Sequence, residues 1–343
     1  MPKIFLTGAT GYIGGAVLAR ILEHPLQHLS EITVIVRSAE KASLFNRTFG
    51  KKHNLNAVVG SYSDLALLRE LAADADVVFA CADADDLPAA KAILSGMRDK
   101  YSANGTPPVL IHTSGTGVLS DDADGMRASS TIYSDLDIPQ LETLPSTQPH
   151  RDVDLTLVEA DSQGYVKTYI VLPSTIYGFA SGPLVENGLQ NWRSQQIPRL
   201  VNVSLQRGQG GMVGKGKNWW GNVHIDDVAK LYITLFDLLD NPSPPSNFTH
   251  GRAGFYFAEN GEHTLYSVGE AIAKLLSNMG KGSPAPTTFS ASEIRQYFPA
   301  GTSLGSNSRC HAERGRQVGW RPSRTTHDML QSVGAEVEES LSR

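Results

Sequence analysis

Three glycines at three-residue spacing, Gly8-Ala-Thr-Gly11-Tyr-Ile-Gly14, constrain this chain more than any other feature. They follow a short apolar run, Ile4-Phe5-Leu6-Thr7, that reads as a buried strand. They precede a stretch in which Ile13, Val17, Leu18, Ile21 and Leu22 share one helical face. A strand that turns into a helix through three glycines has a specific use. One glycine permits the tight turn, one lets a pyrophosphate reach the backbone, and one lets helix and strand pack closely. The helix start then offers free N–H groups and the positive end of its dipole to phosphate. The turn predicts a dinucleotide site with contacts from Gly8, Thr10, Gly11, Tyr12, Ile13 and Gly14.

The first half of the chain keeps the same alternation. Ile32 to Val36, Ala57 to Gly60, Val77 to Phe79, Val109 to Ile111 and Thr168 to Leu172 read as strands. Helices are expected between them, one from Asp64 with Leu65, Leu68 and Leu71, another through Ile93 and Leu94. This pattern predicts an α/β fold, a doubly wound parallel sheet of Rossmann type covered on both faces. Residues 115–149, rich in Ser, Thr, Asp and Pro, break the rhythm and read as a long loop of the kind that covers or lines a site. Its Asp121, Asp122 and Asp124 match no calcium-loop pattern. A helix is expected from about Pro149. The expected division is an NADP-binding domain over 1–180 and a smaller substrate lobe over 181–343, with about 223–240 returning to the first domain. In that later part a helix is expected to start at Asp226, and a second to bury Val268, Ala271, Ile272, Leu275 and Met279.

The second strand ends in Val36-Arg37-Ser38. An acidic residue there would bind a ribose 2′-hydroxyl and favour NAD; Arg37 instead offers a forked cation to a 2′-phosphate, which predicts NADP, with Lys41 nearby. Net charge is −5, so no basic excess exists to neutralise a nucleic-acid backbone. With Cys81 and Cys310 as the two cysteines, neither a zinc site of usual spacing nor a disulfide framework is expected, and a reducing compartment fits. No apolar run approaches the ~18 residues of a membrane span. Met1-Pro2-Lys3 leads straight into a strand, leaving no room for a signal peptide. The expectation is a cytoplasmic protein with a small-molecule substrate, no metal, and no nucleic-acid or membrane partner.

More of the chain carries a resemblance. Thr7-Gly-Ala-Thr-Gly-Tyr-Ile-Gly14, His112-Thr-Ser114-Gly-Thr-Gly-Val118, Pro173-Ser-Thr-Ile-Tyr177-Gly178, Val223-His-Ile-Asp-Asp-Val-Ala229, and Asn307-Ser-Arg309 with Gly319-Trp-Arg-Pro322 occur in the order of one family. The chain resembles the short-chain dehydrogenase/reductase superfamily in its extended or atypical branch, with the NAD-dependent epimerase/dehydratases and dihydroflavonol-reductase-like enzymes. The resemblance implies further cofactor contacts at Ala80 and Ala82 after the fourth strand and at Pro173, Ser174 and Ile176 beside the nicotinamide. It also implies a Tyr-x-x-x-Lys pair, in which the tyrosine exchanges a proton with the substrate oxygen and the lysine lowers its pKa. None of the 11 tyrosines is followed four residues later by lysine. One register of Ser146-Thr-Gln-Pro-His150-Arg-Asp-Val-Asp154 puts Ser146 and His150 at the two positions; the other puts His150 and Asp154 there.

Three residues are expected to carry chemistry. Histidine titrates near neutrality and suits His150 to general acid–base work, with Asp154 one helical turn on to orient it. Ser114 at the end of the fifth strand is expected to hydrogen-bond a substrate carbonyl or hydroxyl. His112 is placed on the opposite face from Ser114. Tyr133 and Tyr177 are alternative proton donors. Trp219 and Trp220 either wall the pocket or pack the lobe. His224 and Asp226 are expected to be structural, and Cys81 to be no nucleophile. Family dimers pair the Tyr-x-x-x-Lys helix, which is altered and polar here, so a monomer is expected over a homodimer. The expected activity is NADP(H)-dependent oxidoreduction of a carbonyl or alcohol of a small metabolite. The alternatives are a non-redox isomerase, lyase or cyclase on the same scaffold, and an NADP-binding redox sensor without catalysis.

Overall fold

Seven parallel strands form the central sheet of the computed structural model, which describes residues 2–25 and 30–342; Met1 lies outside the described residues. They are β1 (Lys3–Thr7), β2 (Glu31–Val36), β3 (Leu55–Val59), β4 (Val77–Ala80), β5 (Val109–Thr113), β6 (Lys167–Pro173) and β7 (Phe255–Ala258), in the order β7-β6-β5-β4-β1-β2-β3. Ile4, Leu6, Val78, Phe79 and Ile111 are completely or almost completely buried, because helices cover both faces and alternation with polar residues has no place. Five long helices flank the sheet: α1 (Tyr12–Glu23), α2 (Leu65–Asp74), α3 (Leu87–Asn104), α4 (Arg151–Ser162) and α5 (Ile225–Leu239). α1 packs on α5, while α2 packs on α3 and α3 on α4. Consecutive residues at the end of β5 show the two layers: Thr113 hydrogen-bonds Tyr232 of α5, and Ser114 hydrogen-bonds Asp154 of α4.

A second apolar cluster, with Ile197, Val201, Val268, Ile272, Met329 and Val333 at its centre, lies in the C-terminal part of the chain. Its helices, Gln196–Arg207, Leu265–Asn278 and Thr326–Leu341, pack beside a three-stranded sheet of Thr175–Tyr177, Trp219–His224 and Glu262–Thr264. No helix among the described residues is long and apolar enough to cross a membrane.

Five expectations are corrected by the structure. β7 comes from residues 255–258, so the main sheet is completed well beyond residue 180, by a strand whose four buried residues offer too short a pattern to read. α5 is capped by His224, whose Nδ1 accepts the Asp226 N–H, and not by Asp226. α4 begins at Arg151, leaving Pro149 outside and His150 as its N-cap. Residues 115–149 are structured: they hold a 3₁₀ turn at Thr116–Leu119, a strand at Tyr133–Ser134 paired with Cys310–His311, and a short helix at Ile138–Glu142. Buried Asp135 accepts the N–H groups of Phe257, Glu313 and Arg314 and fastens this segment to β7. In the Leu265–Asn278 helix Val268 and Ile272 are buried as expected, whereas Met279 lies past its end and is exposed.

Candidate active site

The glycine turn joins β1 to α1 at the C-terminal edge of the sheet, where α/β folds bind ligands. Gly8 sits at φ +77°, and a Cβ there would come 2.5 Å from the Cys81 carbonyl oxygen, so only glycine fits. A Cβ on Gly14 would collide with the Gly8 carbonyl. Gly11 differs: its Cβ would meet only the Gly8 oxygen, at 3.1 Å, and otherwise enter open space. Among the described residues the N–H groups of Tyr12 and Ile13 find no main-chain acceptor. An open cradle with free donors at a helix start fits a pyrophosphate. The turn is held from outside as well: the Asn191 N–H donates to Thr10, Gln190 Nε2 donates to the Tyr12 carbonyl, and the Tyr12 hydroxyl donates to the Gly178 carbonyl.

Arg37 stands exposed at the end of β2, and no ion pair among the described residues engages it. Ser38 caps the next helix by accepting the Lys41 N–H. Ala80 closes β4 and is buried, while Ala82 is exposed at the edge of the groove. Burial pushes the Cys81 thiol up to about 12, which keeps it protonated and unreactive.

The predicted chemical residues converge on Gly115. A Cβ at this glycine would lie 3.2 Å from His150 Nε2 and 3.9 Å from the Pro173 carbonyl oxygen; a Cβ at Gly117 would also lie 3.2 Å from Nε2. The two glycines thus leave the room that the imidazole fills, directly beside Ser114. His150 adopts φ +66°, a conformation rare outside glycine and a mark of a residue held by its surroundings. What holds it is Asp85, in the loop after β4. Asp85 Oδ1 accepts the main-chain N–H of His150 at 3.0 Å and pairs with its Nδ1 at 2.7 Å. Since an ionised carboxylate only accepts, Nδ1 carries the proton and Nε2 faces the Gly115–Gly117 turn. Asp85 also opposes the dipole of α4, which disfavours a cation at its start.

Asp154 does not orient His150, contrary to the sequence expectation. It is fully buried beneath α4, where Ser114 Oγ donates to its Oδ2 at 3.1 Å and its Oδ1 has no partner. Burial pushes its carboxyl up to about 7, against the opposing pull of the Ser114 hydrogen bond and the Arg151 charge. Ser146 is exposed before the helix, whereas His150 is its N-cap and Asp154 lies buried in its first turn. His112 shares the α4 face with Ser114, since residues two apart on a strand point the same way. It is buried, and burial followed by the nearby His150 charge pushes it down to about 4.

Other candidates are placed elsewhere. The Tyr177 hydroxyl is spent on the Thr325 carbonyl. Tyr133 lines a polar cleft of about 680 Å³ with Leu119, Gln148, Asn307 and Arg309. Ser174 Oγ donates to the Ala258 carbonyl, and Ile176 packs near Ala16 and Ile225. Trp220 is buried with its indole N–H on the Ser306 carbonyl, and Trp219 lies beneath the Arg309 guanidinium. Sequence reasoning missed Asp85. The signal was the acidic run Asp83-Ala-Asp85-Asp86 just beyond β4, on the strand edge that borders the crevice.

Residues 8–124 match the family model described as NAD(P)H-binding. An oxidase of an Acremonium species is 31% identical over 341 residues, covering 93% of this chain and 92% of the relative. Among solved structures, dTDP-glucose 4,6-dehydratase from Bacillus anthracis in complex with NAD superposes with a TM-score of 0.65 at 17% identity, covering 99% of this chain and 97% of that one. A yeast methylglyoxal/isovaleraldehyde reductase complexed with NADPH superposes with a TM-score of 0.60 at 13% identity, covering 99% and 100%. Fold and turn together define an NAD(P)H-binding protein of Rossmann type. The chain belongs to the family of the Acremonium oxidase, carries an NAD(P)H-binding domain over residues 8–124, and shares its fold with epimerase/dehydratase-type structures.

Proposed function

We propose that the protein is an NADP(H)-dependent oxidoreductase acting on a carbonyl or alcohol of a small metabolite, with His150, held by Asp85, exchanging a proton with the substrate oxygen. The Asp85–His150 pair packed against Gly115 carries this reading. A group that moves a proton must be fixed beside the reacting oxygen in one tautomer, and Asp85 does both through two hydrogen bonds to one carboxylate oxygen. Ser114 adds a hydroxyl on the same wall. The turn from Gly8 to Gly14 would hold the pyrophosphate and Arg37 the 2′-phosphate, with Ala80, Ala82 and the Pro173 main chain along the groove. Bound there, a nicotinamide cofactor supplies or accepts a hydride. An oxidase and a reductase among the relatives support the redox form of the reading. The buried free thiols of Cys81 and Cys310 support a reducing, cytoplasmic setting.

The test is a screen of aldehydes, ketones and alcohols that follows cofactor absorbance in wild type and His150→Ala. Turnover in the wild type that falls at least a hundredfold in the variant, with NADPH affinity kept, supports the reading. Product formation without net cofactor consumption would mean isomerase or lyase chemistry. Cofactor binding without turnover on any probe would favour a sensor.

A further inference from the structure

We propose that Asp154 is a positioning residue that sets the direction of the Ser114 hydroxyl, so that the site offers a donor to a carbonyl oxygen when Asp154 is protonated and an acceptor to an alcohol when it is ionised. The inference rests on the reading of Ser114 as a substrate-facing residue. Its geometric basis is the isolation of the pair. Ser114 and Asp154 are both buried, their oxygens lie 3.1 Å apart, and Asp154 Oδ1 has no hydrogen-bond partner. Ser114 is thus the one hydrogen-bond partner of the Asp154 carboxyl among the described residues.

A serine hydroxyl has a single proton. An ionised carboxylate can only accept, so it takes that proton and leaves Ser114 with lone pairs alone for the substrate. A protonated carboxyl can donate to Ser114 Oγ, and the serine proton is then free to reach a carbonyl oxygen. The two states suit the two directions of one redox reaction: the carbonyl needs a donor, the alcohol an acceptor.

The charges around Asp154 keep both states accessible. On its own helix Arg151 favours the ion, while Asp152 opposes it. Asp85, from the loop after β4, also opposes it. β5 contributes His112, buried and held neutral. On α3, Lys91 and Arg98 line an outer groove with Glu159, and His250, just before a 3₁₀ turn at Gly251–Ala253 that packs on α4, pairs with Asp161. Burial is the largest influence and brings the carboxyl to about 7, so both forms are populated near neutrality.

Infrared difference spectra of the whole chain read the carboxyl directly. A protonated-carboxyl band should disappear with a midpoint near pH 7 and be absent in Asp154→Asn, which separates it from the other buried acids. In Ser114→Ala the midpoint should rise, because the hydrogen bond that favours the ion is gone. Isobutyramide serves as an unreactive carbonyl probe in the presence of NADPH, and trifluoroethanol as an alcohol probe in the presence of NADP. Between about pH 6 and 8 the amide should weaken about tenfold and the alcohol tighten about tenfold, and both profiles should flatten in Asp154→Asn. A band that does not titrate in this range, a midpoint unmoved by Ser114→Ala, or probe profiles unchanged in Asp154→Asn would each overturn the proposal. The band and its Ser114→Ala shift need no ligand, so a failure of cofactor binding would sink the oxidoreductase reading and leave the proposal to be decided by those two measurements.

Discussion

The glycine turn and the start of α4 lie on the same edge of one sheet, yet they are built in opposite ways. The conformation of the turn is set largely within its own seven residues, with Cys81 closing on Gly8 and with Asn191, Gln190 and Gly178 holding it from outside. Gly11 N–H bonds Gly8, the positive φ belongs to Gly8, and the packing that excludes a Cβ at Gly14 comes from the Gly8 carbonyl. The wall proposed to exchange a proton is assembled from segments far apart in sequence: Asp85 after β4, Ser114 to Gly117 after β5, His150 and Asp154 at the start of α4, and Pro173 at the end of β6. A local device leaves a local spacing in the sequence. A distributed one leaves only residue types, whose partners become visible when the strands align.

The largest effects should come from the local device, and they should split it. Gly8→Ala puts a Cβ 2.5 Å from the Cys81 oxygen at a left-handed φ and should cost about 3 kcal/mol or more, seen as a lowered melting temperature. Gly11→Val points into open space and should leave circular dichroism native while NADPH binding falls more than a hundredfold. If Gly11→Val binds normally, the phosphates do not meet this turn.

The distributed wall should respond next, and through turnover. His150→Ala and Asp85→Asn should each lower turnover ~10²–10⁴-fold and about tenfold or more, respectively, with NADPH affinity changed less than about threefold. Equal losses of affinity and turnover would show that the pair holds the cofactor and moves no proton. Arg37→Glu acts at the far end of the groove. It should remove a charge-assisted contact of ~1.5–3 kcal/mol and so erase a 10- to 100-fold preference for NADPH over NADH in calorimetric titration. Equal wild-type affinities would end the NADP assignment.

The smallest effect is thermodynamic and separates the two regions by pH. Asp154 has a folded-state pKa raised above its unfolded value, so the folded state holds the proton more tightly and the associated stability is lost as pH rises through about 7. From about pH 6 to 8 this loss is about 1.4 kcal/mol, one unit's worth, and it should vanish in Asp154→Asn in denaturant titrations. His112 has the opposite sign. Its pKa is depressed to about 4, so its contribution is present above the unfolded value and is lost as pH falls toward 4. Tyr12, the ionisable side chain of the turn, is pushed further above its ordinary value by burial and stays neutral over this range, so Gly11→Val should leave both slopes unchanged.

What the sequence determined by itself is the part of the molecule whose physics is short-range. Alternating apolar strands and amphipathic helices specify the parallel sheet, and Gly8, Gly11 and Gly14 specify the phosphate turn, because backbone conformation and helix–strand packing act over a few residues. The absence of a Tyr-x-x-x-Lys pair was equally plain in the sequence. Only the tertiary structure decided that β7 comes from residues 255–258 and that Asp85 and not Asp154 holds His150. That His112 shares a face with Ser114 follows from strand alternation alone, against the opposite-face expectation above. The first two leave no such pattern. A four-residue strand has too little pattern to declare itself, and a hydrogen bond between residues 85 and 150 depends on where two loops end after the sheet has formed. Local propensity carries no information about that meeting; the closing of β4 and β5 side by side creates it.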